Sequence, residues 1–75
     1  MFKIYHLKRG DRARIKEIHA GRELKHRMKS FGLYQGVEFE IKNFSLGKNT
    51  VELQVGNSLV ALRKGEMEKI EIEKI

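Results

Sequence analysis

The pattern of hydrophobic periods predicts a mainly β fold, a small barrel of about five strands with one helix between the first and second strands. Three observations carry this. Apolar and polar residues alternate with period two in short runs at 12–16, 37–42, 50–55 and 70–72, and an apolar run fills 58–62. A single helical period, Leu24, Met28 and Phe31 at i, i+4 and i+7, stands after the first of these runs. The chain has 75 residues and no cysteine, so one domain must be held by its apolar core or by self-association, without disulfides or thiolate metal sites.

Residues 2–7, FKIYHL, read as a brief extended lead-in with Leu7 as a core anchor, and Arg9-Gly10-Asp11 reads as a turn. In RARIKEI at 12–18, Ala13 and Ile15 face one way and Arg12, Arg14 and Lys16 the other. Ile18 breaks the period, which predicts a bulge or the strand's end. His19-Ala20-Gly21 links the strand to the helix. The helix starts at Arg22, with Glu23 in its first turn and Lys29 in its last, both suited to the helix dipole. Gly32 fits the left-handed residue that ends a helix, which pairs Met28 with Leu33 across the stop.

Tyr34-Gln35-Gly36 is a tight turn into the second strand, where Val37, Phe39 and Ile41 alternate with Glu38, Glu40 and Lys42. Asn43 to Asn49 is a loop around Leu46-Gly47, with Phe44 and Leu46 expected to be partly exposed. Thr50 to Val55 forms the third strand, with Val51, Leu53 and Val55 inward. Gly56-Asn57 gives a two-residue hairpin into SLVAL at 58–62. That segment is apolar on both phases, so it is expected at the centre of the sheet. Residues 63–69 are polar around Gly65 and predict a turn or one helical turn. Ile70 and Ile72 mark the last strand. Closing such a sheet into a barrel removes exposed edges.

The net charge is +6, and it is uneven. Residues 1–30 hold ten Lys or Arg against three acids, or +7, while residues 31–75 hold six against seven, or −1. This suits an acidic partner, an anionic membrane surface or nucleic acid, and equally an ordinary solvated face. No run is long and apolar enough to span a membrane, and no signal-like apolar stretch follows the N-terminus, so a soluble cytoplasmic protein is expected.

The segments EIHAGRELKHRMKSFGLYQGVEFEI and SLGKNTVELQVGNSLVALRKGEMEKIEI resemble the ferrous iron transport protein A (FeoA) family over Leu7 to Ile72. The helix followed by Gly32-Leu33-Tyr34-Gln35-Gly36-Val37 is the most specific part. The family usually has proline where this chain has Gln35, and often prolines within the 45–49 loop, where this chain has none. The resemblance implies an SH3-like barrel, a cytoplasmic location and an accessory role beside the ferrous iron permease with its GTPase domain (FeoB). It extends to the C-terminal domain of iron-dependent repressors of the diphtheria-toxin-repressor type, and with no DNA-binding helical segment read in these residues a complete repressor is not expected.

Candidate sites follow. Arg22, Lys25, Arg27 and Lys29, with Arg12, Arg14 and Lys16, form the best polar contact surface. Tyr34, Phe44 and Leu46 are its apolar counterpart, or plugs for the barrel ends. From these, Arg22, Lys25, Lys29, Tyr34 and Leu46 are taken as partner-binding. His19, Glu23 and His26 are the one metal-ligand constellation, suited to weak Fe(II) or Zn(II) binding. Three ligands, one on a linker, fall short of a structural site, and no cofactor is expected. No thiol, phosphate loop or paired-carboxylate motif supports catalysis, and so small a domain leaves little room for a reaction pocket. The expectation is a non-enzymatic interaction module, possible as a homo-oligomer and not inserted in a membrane. The alternative is a nucleic-acid-binding or transcription-regulating barrel.

Overall fold

The structure is a computed structural model that describes residues 2–75. The expected fold class is observed: five antiparallel strands in one curved sheet, with the main helix between the first two, in the SH3-like arrangement. The strands are β1 (Arg12–Ile18), β2 (Glu38–Phe44), β3 (Thr50–Val55), β4 (Ser58–Arg63) and β5 (Ile70–Lys74). The helices are α1 (Arg22–Ser30) and a single turn, α2 (Lys64–Met67). Strand order is β4-β3-β2-β1-β5. One apolar cluster fills the inside, drawing on every strand and on Ile4, Leu7, Met28, Leu33 and Met67.

The bulge expected near Ile18 lies between Ile15 and Glu17, where β1 slips against β5. The extra residue shifts the phase, so Ala13, Ile15 and Ile18 are all buried although their spacing is not a uniform two. A second bulge, between Ile41 and Asn43, lets β2 run on to Phe44, two residues past the predicted strand.

Helix α1 ends as its sequence predicts. Gly32 has φ +88°, the Leu33 N–H donates to the Met28 carbonyl at 2.9 Å, and the Gly32 N–H donates to the Lys29 carbonyl at 2.9 Å. Met28 and Leu33 are both fully buried, so the stop is fastened to the core.

Four expectations are corrected. Residues 4–6 form a 3-10 turn, which lets Ile4 and Leu7 both reach the core; a straight strand would point residues three apart to opposite faces. Phe31 is 41% exposed, because the chain leaves the helical path there and the stripe reduces to Met28 with half-buried Leu24. Strand β4 is an edge strand: Val60 and Leu62 face the core, whereas Leu59 is 62% exposed. Apolar residues on both phases did not mean two covered faces. Finally, among the described residues no ladder joins β4 to β5, so sheet closure leaves two edges. Helix α2 spans that seam and buries Met67, a core residue hidden in a polar stretch.

Candidate functional site

The turn after α1 is sewn to β1. The Gly36 N–H donates to the Ile15 carbonyl at 2.8 Å, and the Ile15 N–H donates to the Val37 carbonyl at 2.8 Å. Gly36 makes this possible at φ +91°, a conformation costly for residues with a Cβ. The stitch sets Tyr34 and Gln35 opposite the end of β1 and beside the outer face of α1. Between them opens a cleft of about 250 Å³, lined by Glu17 and Ile18 of β1, Lys25, His26 and Lys29 of α1, and Leu33, Tyr34 and Gln35.

The cleft has an apolar floor and a basic wall. Ile18 and Leu33 are buried core residues whose edges line it. Lys25 and Lys29 stand one turn apart, so their ammonium groups are neighbours. Among the described residues neither forms an ion pair, and neither does Arg22, three positions before Lys25. Arg27 points elsewhere and pairs with Glu66 at the α2 turn. Tyr34, half exposed, adds a ring and a hydroxyl, and Gln35 adds an amide. Glu17 is the one acidic group in the lining. An anionic segment carrying an apolar side chain would find both complements here.

The cations of β1 do not add to this field. Arg12 and Arg14 meet Glu38 across the β1–β2 ladder at 3.6 and 3.2 Å, Arg14 also meets Glu73 at 3.8 Å, and Lys16 meets Glu71 at 3.5 Å. The single basic surface expected over β1 and α1 is therefore divided: the cations of β1 are neutralised by neighbouring strands and Arg27 by Glu66, whereas Arg22, Lys25 and Lys29 are in no ion pair among the described residues.

Of the five residues predicted to bind a partner, the fold brings Lys25, Lys29 and Tyr34 into one cleft and leaves Arg22 on the same helix outside its lining. Leu46 is elsewhere, 99% exposed on a 3-10 turn between β2 and β3. The metal candidates separate. His19 is held at the β1–β5 end, its Nε2 2.8 Å from a Glu71 oxygen and its Nδ1 3.3 Å from a Glu17 oxygen, while His26 faces the cleft. Among the described residues no group of three or more His, Cys, Asp or Glu side chains converges as a metal site. Glu71 is strengthened as an acid by this contact: the His19 hydrogen bond, and then Lys16, hold its carboxyl below the usual carboxylate range.

Ile18, Leu33 and Gln35 belong to the cleft although sequence reasoning did not place them there. Ile18 could have been found from its broken period, because a residue after a bulge is re-aimed. Nothing in its spacing marks Gln35; only the stitched turn does.

A family model described as FeoA domain matches residues 2–74. A Campylobacter jejuni protein, named as a candidate Fe(2+) transport protein A, is 35% identical over 69 residues, covering 92% of this chain and 93% of that protein. The solution structure of iron(II) transport protein A from Clostridium thermocellum superposes with a TM-score of 0.91 at 31% identity, covering 99% of this chain. This chain spans 46% of that one's length. The FeoA protein of Chlorobium tepidum superposes with a TM-score of 0.89 at 26% identity, over 99% of this chain and 70% of that one.

Proposed function

The chain belongs to the FeoA domain family, and on that premise we propose that it serves ferrous iron transport as a docking module for the membrane permease with its GTPase domain. The cleft beside α1 is the docking site, and an acidic segment of the permease's cytoplasmic portion is what it receives. Lys25 and Lys29 attract and orient that segment, and the Ile18–Leu33 floor with Tyr34 takes its apolar side chain. Binding one conformation of the permease in preference to another would shift the permease toward it, by as much as the two affinities differ. The module works on the cytoplasmic side, performs no covalent chemistry and holds no resident metal in this role. Among the described residues no helix is long and apolar enough to cross a membrane, which fits a protein that acts on a membrane partner from outside the bilayer.

One observation carries the reading: two lysines one helical turn apart, in no ion pair among the described residues, border an apolar floor, on a family whose relatives are named for ferrous iron transport. The test is direct. The permease's cytoplasmic portion, titrated with this chain at low salt, should bind, and Lys25→Glu with Lys29→Glu should weaken binding about tenfold or more. Raising salt toward 1 M should weaken the wild type and leave the double variant little changed. Binding that survives both changes would move the docking site to the Leu46 turn.

A further inference from the structure

The two edges of the sheet are finished differently. Along β5 the N-terminal segment lies alongside: Lys3 bridges to Glu71, and the Ile72 N–H donates to the Phe2 carbonyl at 3.0 Å. Glu71, Glu73 and Lys74 put charge on the same strand. Covering and charging are the means by which sheets prevent edge-to-edge pairing. Up to Arg63, strand β4 has neither. Ser58 to Leu62 carries no charge and no proline, and its ladder with β3 runs through six consecutive pairs without a bulge.

The phase of that ladder decides which groups are free. The Lys64 N–H donates to the Asn49 carbonyl at 2.9 Å, and hydrogen-bonded pairs alternate from there along the ladder. They are therefore Leu62 with Val51, Val60 with Leu53, and Ser58 with Val55. The N–H and C=O groups of Leu59 and Ala61 point away from β3. The usable edge stops at Arg63, whose N–H is taken by a Glu66 carboxylate oxygen at 2.9 Å. Beside this edge an open groove of about 310 Å³ lies between Ser30-Phe31 and residues 58–61, with the Phe31 ring and Leu59 exposed along it.

We infer that the β4 edge is a self-association site, at which a second copy of this chain adds its own β4 antiparallel to the first. The register is centred on Val60. It sets Leu59 against Ala61 of the second copy in hydrogen-bonded pairs, satisfies all four free groups on each strand, and places each Arg63 opposite an Asn57, away from the other arginine. An antiparallel pair of identical strands has two-fold symmetry, so the contact closes and does not propagate. The occupant is a second copy and not the acidic partner proposed for the cleft, because residues 58–62 offer no charge to complement and are apolar like themselves. The contact is one short strand and one groove, so the dimer is a weak one.

Sedimentation of the whole chain from about 10 μM to about 1 mM should show a reversible monomer–dimer equilibrium, insensitive to salt. Over the same range the amides of Leu59 and Ala61 should gain protection from hydrogen exchange. Leu59→Lys should weaken the dimer about tenfold, and Ala61→Pro should do the same by removing a donor that β3 does not use. Leu46→Lys, an equal change of charge and apolarity at another exposed site, should leave it unaltered. A chain that stays monomeric throughout overturns the inference, even if the permease fragment shields those amides. A dimer weakened as much by Leu46→Lys as by Leu59→Lys overturns it too. Should Ala61→Pro lose the fold by circular dichroism, the exchange data and Leu59→Lys still decide.

Discussion

Strand β1 and helix α1 display the same kind of side chain at nearly the same density, and the fold treats them in opposite ways. Arg12, Arg14 and Lys16 stand on a strand flanked by β2 and β5, whose outward positions are Glu38, Glu71 and Glu73; every one finds a carboxylate within 4 Å. Lys25 and Lys29 line a cleft whose one acidic group is Glu17, and among the described residues neither comes within 4 Å of a carboxylate. Cross-strand neighbours cancel charge on β1 because the ladder brings strands within side-chain reach. On α1 the i±4 positions of Lys25 and Lys29 are filled by each other or by neutral groups, and only Arg27 reaches a carboxylate, that of Glu66. The counted charge of +7 over residues 1–30 therefore overstates the surface that a partner meets. Among the described residues the cations of this stretch in no ion pair are Arg22, Lys25 and Lys29 on α1 and Lys3, Lys8 and Arg9 before β1.

The largest test of this contrast breaks the helix away. Met28 is the one fully buried residue of α1 and also the carbonyl that receives the terminal Leu33 bond. Met28→Ala should cost about 2–4 kcal/mol, read from denaturant unfolding. In whatever fraction stays folded, permease binding should fall further than stability explains, because the cleft loses one wall. The β1 ion pairs should persist, visible as unchanged Arg12 and Arg14 guanidinium signals by NMR. Loss of both together would mean that the two regions are a single unit.

Much of this arrangement is legible in the sequence, and what is not has particular causes. The Gly32 stop is readable because a left-handed residue after Met28-x-x-Phe31 admits few alternatives. Thr50–Val55 and the Gly56 hairpin are readable because a strict period of two with a two-residue turn fixes register. The place of β4 is not, since periodicity reports which face is apolar and never which neighbours a strand has. Met67 and the 3-10 turn at Ile4 are hidden because single turns are too short to show a period. For the candidate site, Lys25, Lys29 and Tyr34 can be picked out from spacing, but the pairing of β1's cations depends on strand order, which alternation cannot supply.

A smaller effect comes from acid. Glu71's carboxyl is held below its usual range by His19 and then Lys16, so its pKa is lower folded than unfolded. The stability it contributes is present above the unfolded value of about 4.5 and is lost as pH falls through the lower folded value. Thermal melts from pH 6 down to pH 3 should show a decline steepening below about pH 4.5, and Glu71→Gln should flatten it. His19→Ala should flatten it in part, by removing the stronger of the two holds. This sharpens the contrast, because acid removes the counter-charges of β1 and leaves Lys25 and Lys29 without any to lose. A decline that is identical in Glu71→Gln would place the acid-sensitive group outside the β1–β5 contact.

The smallest effect is the most discriminating. Arg14 touches two carboxylates, at 3.2 and 3.8 Å, and by its number of partners looks like the most important cation on the surface. Its side chain is nevertheless 43% exposed, and ion pairs so placed contribute about 0–1 kcal/mol, since solvent already screens them. Arg14→Ala should therefore lower the melting temperature by no more than about 8 °C. Glu38 keeps Arg12 as a partner, so no carboxylate is left bare on that side. Permease binding should change by less than about twofold, against tenfold or more for the Lys25 and Lys29 reversals, because a cation already satisfied within the sheet has little field left to offer. If Arg14→Ala weakens binding as much as those reversals do, paired and unpaired cations act alike toward the partner. The docking surface would then run from α1 across β1, as the raw charge count suggests.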